Sequence, residues 1–198
     1  MPHNKKPHQN LFIVIYLNEI IPLSAGLKSF LATHIKSTVF AKGDLICKKG
    51  QVCTNLHVIK KGVVRGFFMA DETEVTTWIS SDNDIFTSIT GYFRNEVAME
   101  NIQALEETHC VYLSYEDMHF CLKNFPEMRD LNRILMEDYY LHAENRAYLA
   151  RIPSALGRWH HYRATSKSEI IDRIPKKYLA SFLNMRPETL SRLLKNGL

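Results

Sequence analysis

The stretch from Lys176 to Lys195 holds the residue types and spacing best suited to chemistry, and that chemistry is hydrogen bonding and charge pairing, not bond making. Lys176 to Leu183 puts Leu179, Phe182 and Leu183 on one helical face, Asn184-Met185-Arg186 follows as a turn, and Pro187 opens a second helix. Asn184 tolerates the left-handed backbone that such a turn requires. At about 100° per residue, the second helix carries Leu190, Leu193 and Leu194 on one side and Glu188, Arg192 and Lys195 opposite. Arg192 could pair bidentately with guanine and Glu188 could accept from cytosine, so these two are the expected base readers. Lys176, Lys177, Arg186, Thr189, Ser191 and Lys195 are the expected phosphate contacts. Any amphipathic helical hairpin has an apolar and a polar face, so the alternative is an interaction or ligand-binding module with a vestigial helix pair.

Charge distribution favours the first reading. Residues 151–198 hold ten Lys or Arg against three Asp or Glu, whereas residues 1–150 carry a net −3 and the whole chain +4. A basic C-terminal quarter on an acidic body points to a polyanionic partner; charge alone leaves membrane lipid or RNA open, and the helix pair makes double-stranded DNA the expected one.

Other elements must position this pair. With 198 residues, 45% of them hydrophobic, the chain can bury a sizeable core. Residues 1–10 read as a loose tail. Lys5 and Lys6 before Leu11 to Leu17 imitate a signal peptide only faintly, and the stretch reads as the first helix of a soluble domain. Helical spacing over Leu11–His34, broken at Pro22 and Gly26, predicts two short helices. From Ser37 to Ser114, short β-branched and aromatic runs with frequent turn signals predict an antiparallel sandwich or barrel, with Val63–Met69 and Glu74–Ile79 as the clearest strand pair. Tyr115–Asn124 reads as a helix, and Pro126 opens another that meets no proline or glycine before Pro153. A seam through Leu131, Leu135, Asp138, His142, Asn145, Leu149 and Ile152, polar in its middle, suggests a two-stranded coiled coil and hence a homodimer through 126–152, the alternative being one surface helix packed on its own sandwich. A further helix, Ala155–Thr165, precedes the basic pair.

The four cysteines, Cys47, Cys53, Cys110 and Cys121, form no C-x-x-C pair and are expected as reduced thiols of a cytoplasmic protein. No run approaches the length of a membrane span. Cupin-type metal chemistry needs an H-x-H with a Glu and a further His, but the strand-rich region holds only His57 and His109. No enzyme and no metal are expected.

The chain resembles the Crp/Fnr transcription regulators. Ile174-Pro175-Lys176-Lys177-Tyr178-Leu179-Ala180-Ser181-Phe182-Leu183, then Arg186-Pro187-Glu188-Thr189-Leu190-Ser191-Arg192, is close to that family's reading motif. Phe40-x-Lys42-Gly43-Asp44, Lys49-Gly50 and Leu56-His57-Val58-Ile59-x-x-Gly62-Val63-Val64-Arg65 resemble its cyclic-nucleotide-type β-roll, with Asn101 to Glu106 as the last strands. The resemblance implies an α+β chain: a sensor domain at 1–125 with a double-sheet jelly roll, a dimerisation helix at 126–152, and a helix-turn-helix domain at 153–198. It admits RNA polymerase and a small-molecule effector as partners. Where cyclic-nucleotide binders carry a Gly-Glu pair and an arginine, this chain has Thr87-Ser88 and Ala98, so the effector is expected to be something other than cyclic AMP. Thr76, Trp78, Thr87, Ser88, Met99 and Asn101 are the candidate lining of its site, although a filled roll that binds nothing fits the sequence equally well. Neither an iron–sulfur cluster nor haem is expected, and no cofactor is assigned. Arg186 stands where a small hydroxyl N-cap is usual, and only three residues follow Lys195, so the β-wing is expected to be lacking.

Overall fold

The computed structural model describes residues 8–166 and 168–195. Most of the expected tail therefore lies outside the described residues, while His8–Asn10 already belong to α1 (His8–Ile20). Helix α2 (Ala25–His34) follows, started by Ser24, whose hydroxyl accepts from the Leu27 N–H.

Among the described residues, eight strands form two antiparallel sheets. They are β1 (Lys36–Phe40), β2 (Leu45–Cys47), β3 (Asn55–Lys61), β4 (Val63–Ala70), β5 (Thr73–Ser81), β6 (Ile85–Phe86), β7 (Asn101–Ala104) and β8 (Thr108–Ser114). One sheet runs β1-β8-β3-β6 and the other β2-β7-β4-β5, which makes the roll a double-sheet jelly roll, as expected. The clearest sequence pair is the β4–β5 hairpin, turned at Asp71 with φ 52°. Its register shifts between Gly66 and Phe67, and a Cβ on Gly66 would meet the Trp78 indole at 2.1 Å. Only glycine lets that ring lie on the strand backbone.

Between β6 and β7 the expected run of strands is interrupted by a short helix, α3 (Ile89–Arg94). Ser88 caps its start and Asn95, at φ 54°, ends it, a pair of signals that the β-rich surroundings conceal. Helices α4 (Tyr115–Asn124) and α5 (Pro126–Arg151) stand where expected. With about 1.5 Å per residue, α5 is roughly 39 Å long. Helices α6 (Ala155–Thr165), α7 (Ser168–Ile171), α8 (Lys176–Phe182) and α9 (Pro187–Lys195) complete the described chain; α7 had no clear sequence signal.

Three apolar clusters hold these elements. Ile13, Leu17, Leu27, Leu31, Val111 and Leu131 bind α1, α2, α4 and the start of α5 to one sheet. Ile59, Val64, Phe86 and Ile102 fill the roll. Val63 and Leu105 of the roll, Leu149 of α5, and Trp159, Leu179, Leu183 and Leu190 form the third, so one core joins the helical head to the sheets. Helix α5 contributes to both end clusters, through Met128 and Leu131 at one end and Leu149 at the other.

Of the seam residues drawn from the sequence, Leu131 and Leu149 are buried within the chain, Leu135 is half-buried, and Asp138 and His142 are exposed, with Leu135, Asp138 and His142 bordering a space between α5 and the roll. The apolar side chains of α5 left outward are Tyr140, Leu141 and Tyr148, at 69%, 59% and 60% exposure. Helical periodicity shows that a face is apolar or polar, but not whether its partner is the same chain or another.

Buried Arg158 locks the head internally. Its guanidinium donates to the carbonyls of Leu183 (2.7 Å), Asn184 (2.9 Å), Ile152 (2.7 Å) and Pro153 (3.0 Å). It thereby satisfies the open carbonyl ends of both α5 and α8. Arg158→Met should strand these acceptors and lower stability by about 2–4 kcal/mol, read from urea unfolding of wild type and variant.

Candidate functional site

The turn between α8 and α9 forms as the sequence requires, with Asn184 at φ 50°. Leu179, Ala180, Leu183 and Leu190 are buried beneath it. Lys176, Lys177, Arg186, Glu188, Arg192 and Lys195 are exposed, and Thr189 and Ser191 half-buried. Glu188, Arg192 and Lys195 fall on one face of α9, whose first turn is bonded back to the Arg186 carbonyl by Thr189 (3.0 Å) and Leu190 (3.2 Å). Arg186 thus begins the helix through its backbone, which leaves its side chain free. The Lys177 ammonium sits 4.5 Å over the Tyr178 ring, so α8 presents a cation on an aromatic support at the edge of the same surface.

Sequence reasoning missed how this head is seated. Arg65, fully buried in β4, donates to Gln103 (3.0 and 2.7 Å) and Thr76 (3.3 Å) and pairs with Glu74. Its guanidinium lies 4.0 Å from the Phe67 ring centre and 3.5 Å from that of Tyr178 on α8. Next to it the Ser181 hydroxyl accepts from the Thr76 N–H (3.0 Å) and donates to the Glu74 carbonyl (3.2 Å), which ties α8 to the edge strand β5. On the far side Arg173 donates to Asp82 (2.7 and 3.0 Å) and Glu106 (2.5 and 3.1 Å). A sequence signal for Arg65 existed, namely one cation inside the apolar run Val63-Val64-Arg65-Gly66-Phe67-Phe68.

The six expected ligand residues do not converge. Thr87 and Ser88 line a cavity of about 390 Å³ inside the roll, beside His57, Phe86 and Tyr112. Trp78 and Thr87 border a second space of about 170 Å³ between the roll and α5, with Tyr16, Leu135 and His142. Thr76 is turned to the α8 seam, Met99 is 67% exposed, and Asn101 accepts from the Lys49 N–H (3.0 Å); these three line neither space. Alternation along a strand tells which residues share a face, but β5 has one end against α8 and the other against α5. Ser88 is occupied as the α3 cap, and the Thr87 hydroxyl donates to the Asn55 carbonyl (2.9 Å).

Among the described residues, no Lys, Arg, Asp or Glu lines the larger cavity. Its titratable ring, His57, is stacked on Phe86 at 4.9 Å, and burial holds its pKa down at about 4, so it is neutral at neutral pH. Ala98 is buried and backbone-paired to Gly50 and Gln51. Two residues on, Glu100 accepts from the Trp78 indole N–H (2.8 Å) and the Thr77 hydroxyl (2.8 Å). A carboxylate thus lies near the place where the resemblance puts an arginine.

The cysteines also need correction. Cys47 and Cys53 are joined in a disulfide, Cα–Cα 6.1 Å, while Cys110 and Cys121 are free and buried. The turn through Lys48–Gln51 brings the first pair together across a six-residue separation for which no short motif exists.

Residues 37–125 match the family model of the cyclic nucleotide-binding domain. Among solved structures, the chain is similar to FixK2 of Bradyrhizobium japonicum, 14% identical with a TM-score of 0.67, covering 82% of this chain and 83% of that one. A Crp/Fnr-family regulator from Eubacterium rectale gives 18% identity, a TM-score of 0.65 and coverage of 88% and 83%. The fold is that of the Crp/Fnr regulators. Among curated proteins, the chain is 29% identical over 130 residues to a cone photoreceptor cyclic nucleotide-gated channel subunit of Gallus gallus. It is 28% identical to channel alpha-3 of Homo sapiens. It spans 17% and 18% of those channels' lengths and is matched over 61% of its own. Among the described residues of this Crp/Fnr-type fold, no helix is long and apolar enough to cross a membrane, and no group of three or more His, Cys, Asp or Glu could hold a metal.

The buried His57 sets a pH dependence. Its folded pKa lies below the unfolded value near 6.5, so between about pH 6.5 and 4 the unfolded chain binds the extra proton. Stability contributed by this residue is therefore full above pH 6.5 and falls as pH drops toward 4, by about 3 kcal/mol in all. His57→Phe should flatten that part of the unfolding free energy measured against pH.

Proposed function

We propose that the chain is a transcription regulator that reads an inverted repeat in duplex DNA as a homodimer. The observation that carries this reading is the outward face of α9, where Glu188, Arg192 and Lys195 stand exposed over a buried Leu190 behind a left-handed Asn184 turn. Exposed Lys176, Lys177 and Arg186 supply phosphate contacts around it, with Thr189 and Ser191 at its flanks. The outward Tyr140, Leu141 and Tyr148 of α5 supply an apolar surface for a second copy, and two reading heads then meet half-sites about one helical turn apart.

Control is assigned to a small molecule other than a cyclic nucleotide. The roll cavity lacks a cation for a cyclic phosphate, and Glu100 would repel one nearby. An uncharged molecule suits the neutral His57 and the aromatic rings beside it. RNA polymerase as a further partner, and a cytoplasmic location, follow from this reading.

Selection of bound sequences from a random duplex library tests it. Enrichment of an inverted repeat is expected, with affinity falling steeply as salt rises; no salt-sensitive binding to any duplex would leave the vestigial-module alternative. On the selected site, Arg192→Ala should cost about 1–3 kcal/mol and relax choice at one base pair, while Lys177→Ala should weaken all sequences alike. The dimer is tested separately. Leu141→Glu combined with Tyr148→Ser should convert dimer to monomer in sedimentation with little change in melting temperature, because both side chains are exposed in the single chain.

A further inference from the structure

Away from the DNA-reading face, the disulfide, the cavity and helix α3 meet at one place. Cys47 ends β2 and is buried, Cys53 precedes β3 half-buried, and residues 48–52 between them are exposed. Both half-cystines line the 390 Å³ cavity. A Cβ on Gly91 of α3 would lie 2.7 Å from the Cys53 carbonyl oxygen and 2.9 Å from its nitrogen, so α3 rests directly on the Cys53 backbone.

The same loop is bonded to the segment before β7. The Gly50 N–H donates to the Ala98 carbonyl (2.9 Å), the Ala98 N–H to the Gln51 carbonyl (2.8 Å), and the Lys49 N–H to Asn101 (3.0 Å). Within that segment Glu100 grips Trp78 and Thr77 of β5, whose neighbour Thr76 is bonded to Ser181 of α8. A continuous set of contacts therefore runs from the disulfide loop to the seat of the reading head. Cys110 and Cys121 take no comparable place. Both are buried, and burial pushes their thiols up to about 12, which keeps them protonated and inert.

We propose that Cys47 and Cys53 form a reversible thiol–disulfide site whose state sets the packing of the cavity mouth and α3 and, through β5, the affinity of the head for duplex DNA. The last part rests on the DNA-reading assignment above. In a reducing compartment such a pair is a sensor, not a staple. Reduction proceeds by attack of a small thiolate on the half-exposed Cys53 sulfur, with the electrons of the broken S–S bond leaving on Cys47, which takes a proton. A second small thiol then displaces Cys53 from the mixed disulfide. Two electrons and two protons end on the protein, and the reductant leaves as a disulfide. Oxidation by a small-molecule disulfide is the reverse.

The full chain is treated with dithiothreitol or glutathione disulfide and freed of reagent. Thiol titration in denaturant should find four thiols in the reduced form and two in the oxidised form. Amide hydrogen exchange over residues 48–53 and 89–94 should be at least fivefold faster when reduced, and affinity for the selected duplex should differ at least fivefold. The double variant Cys47→Ser, Cys53→Ser should behave as reduced under both treatments, while Cys110→Ser, Cys121→Ser should respond as wild type. Four thiols after oxidation, or identical exchange in the two forms, overturns the site, and equal duplex affinity overturns its coupling to the head. Altered exchange with no duplex bound by either form would instead sink the DNA-reading assignment and leave the thiol site standing.

Discussion

The guanidinium of Arg65 is the constraint around which the rest of the structure is arranged. A fully buried cation has to be given partners on every side, since desolvating it alone costs several kcal/mol. The roll provides Glu74, Gln103 and Thr76 as polar partners and the Phe67 ring beside them. A second ring comes from Tyr178, which belongs to the C-terminal helical head. The roll therefore contains a charge whose solvation is completed by another part of the chain. Arg173 does the reverse, since it is a cation of the head held by Asp82 and Glu106 of the roll. Loss of either contact leaves an ionic group behind in the opposite part, which makes the seat of the head specific to one arrangement.

That seat joins the helical head to strand β5 of the roll. Strand β5 carries Thr76, Thr77 and Trp78 in succession, and these three side chains serve different neighbours. Thr76 faces Arg65 and Ser181, while Thr77 and Trp78 are held by Glu100 beside the roll. Three consecutive residues of one strand thus carry both sets of contacts, and packed cores change between discrete arrangements and do not deform smoothly. Coupling of this kind needs only a difference in how well each site tolerates the two positions of β5.

Much of this was legible in the sequence because it rests on periodicity and on residues with narrow backbone preferences. Asn184 and Pro187 fixed the turn and the start of α9, and Leu179, Leu183 and Leu190 identified its buried side. The β4–β5 hairpin followed from alternation around Ala70-Asp71-Glu72. What could not be read were contacts between residues far apart in the chain. Arg65 and Tyr178 are separated by more than half its length, and no local pattern links them. The surroundings of the α5 seam could not be read for the same reason, since Asp138 and His142 border a space that α5 shares with the roll. Met99 is among the candidate lining residues yet lies 67% exposed, while Glu100 beside it holds Trp78. The disulfide was missed because its spacing belongs to no recurring motif.

The distribution of charge looks different once the side chains are placed. Ten cations in residues 151–198 suggested a uniformly basic head. Arg158 is spent on carbonyls of Ile152, Pro153, Leu183 and Asn184, and Arg173 on Asp82 and Glu106, so neither is available to phosphate. On and beside α8 and α9 the exposed cations are Lys176, Lys177, Arg186, Arg192 and Lys195, with Arg151 and Arg163 exposed farther off along the chain. Counterion release on binding scales with the phosphates that are neutralised, not with the charge of the segment. The surface charge of the head is therefore smaller than its composition implies. Glu188 and Arg192 stand on α9, and the carbonyls of Leu183 and Asn184 in the turn before it are held by Arg158.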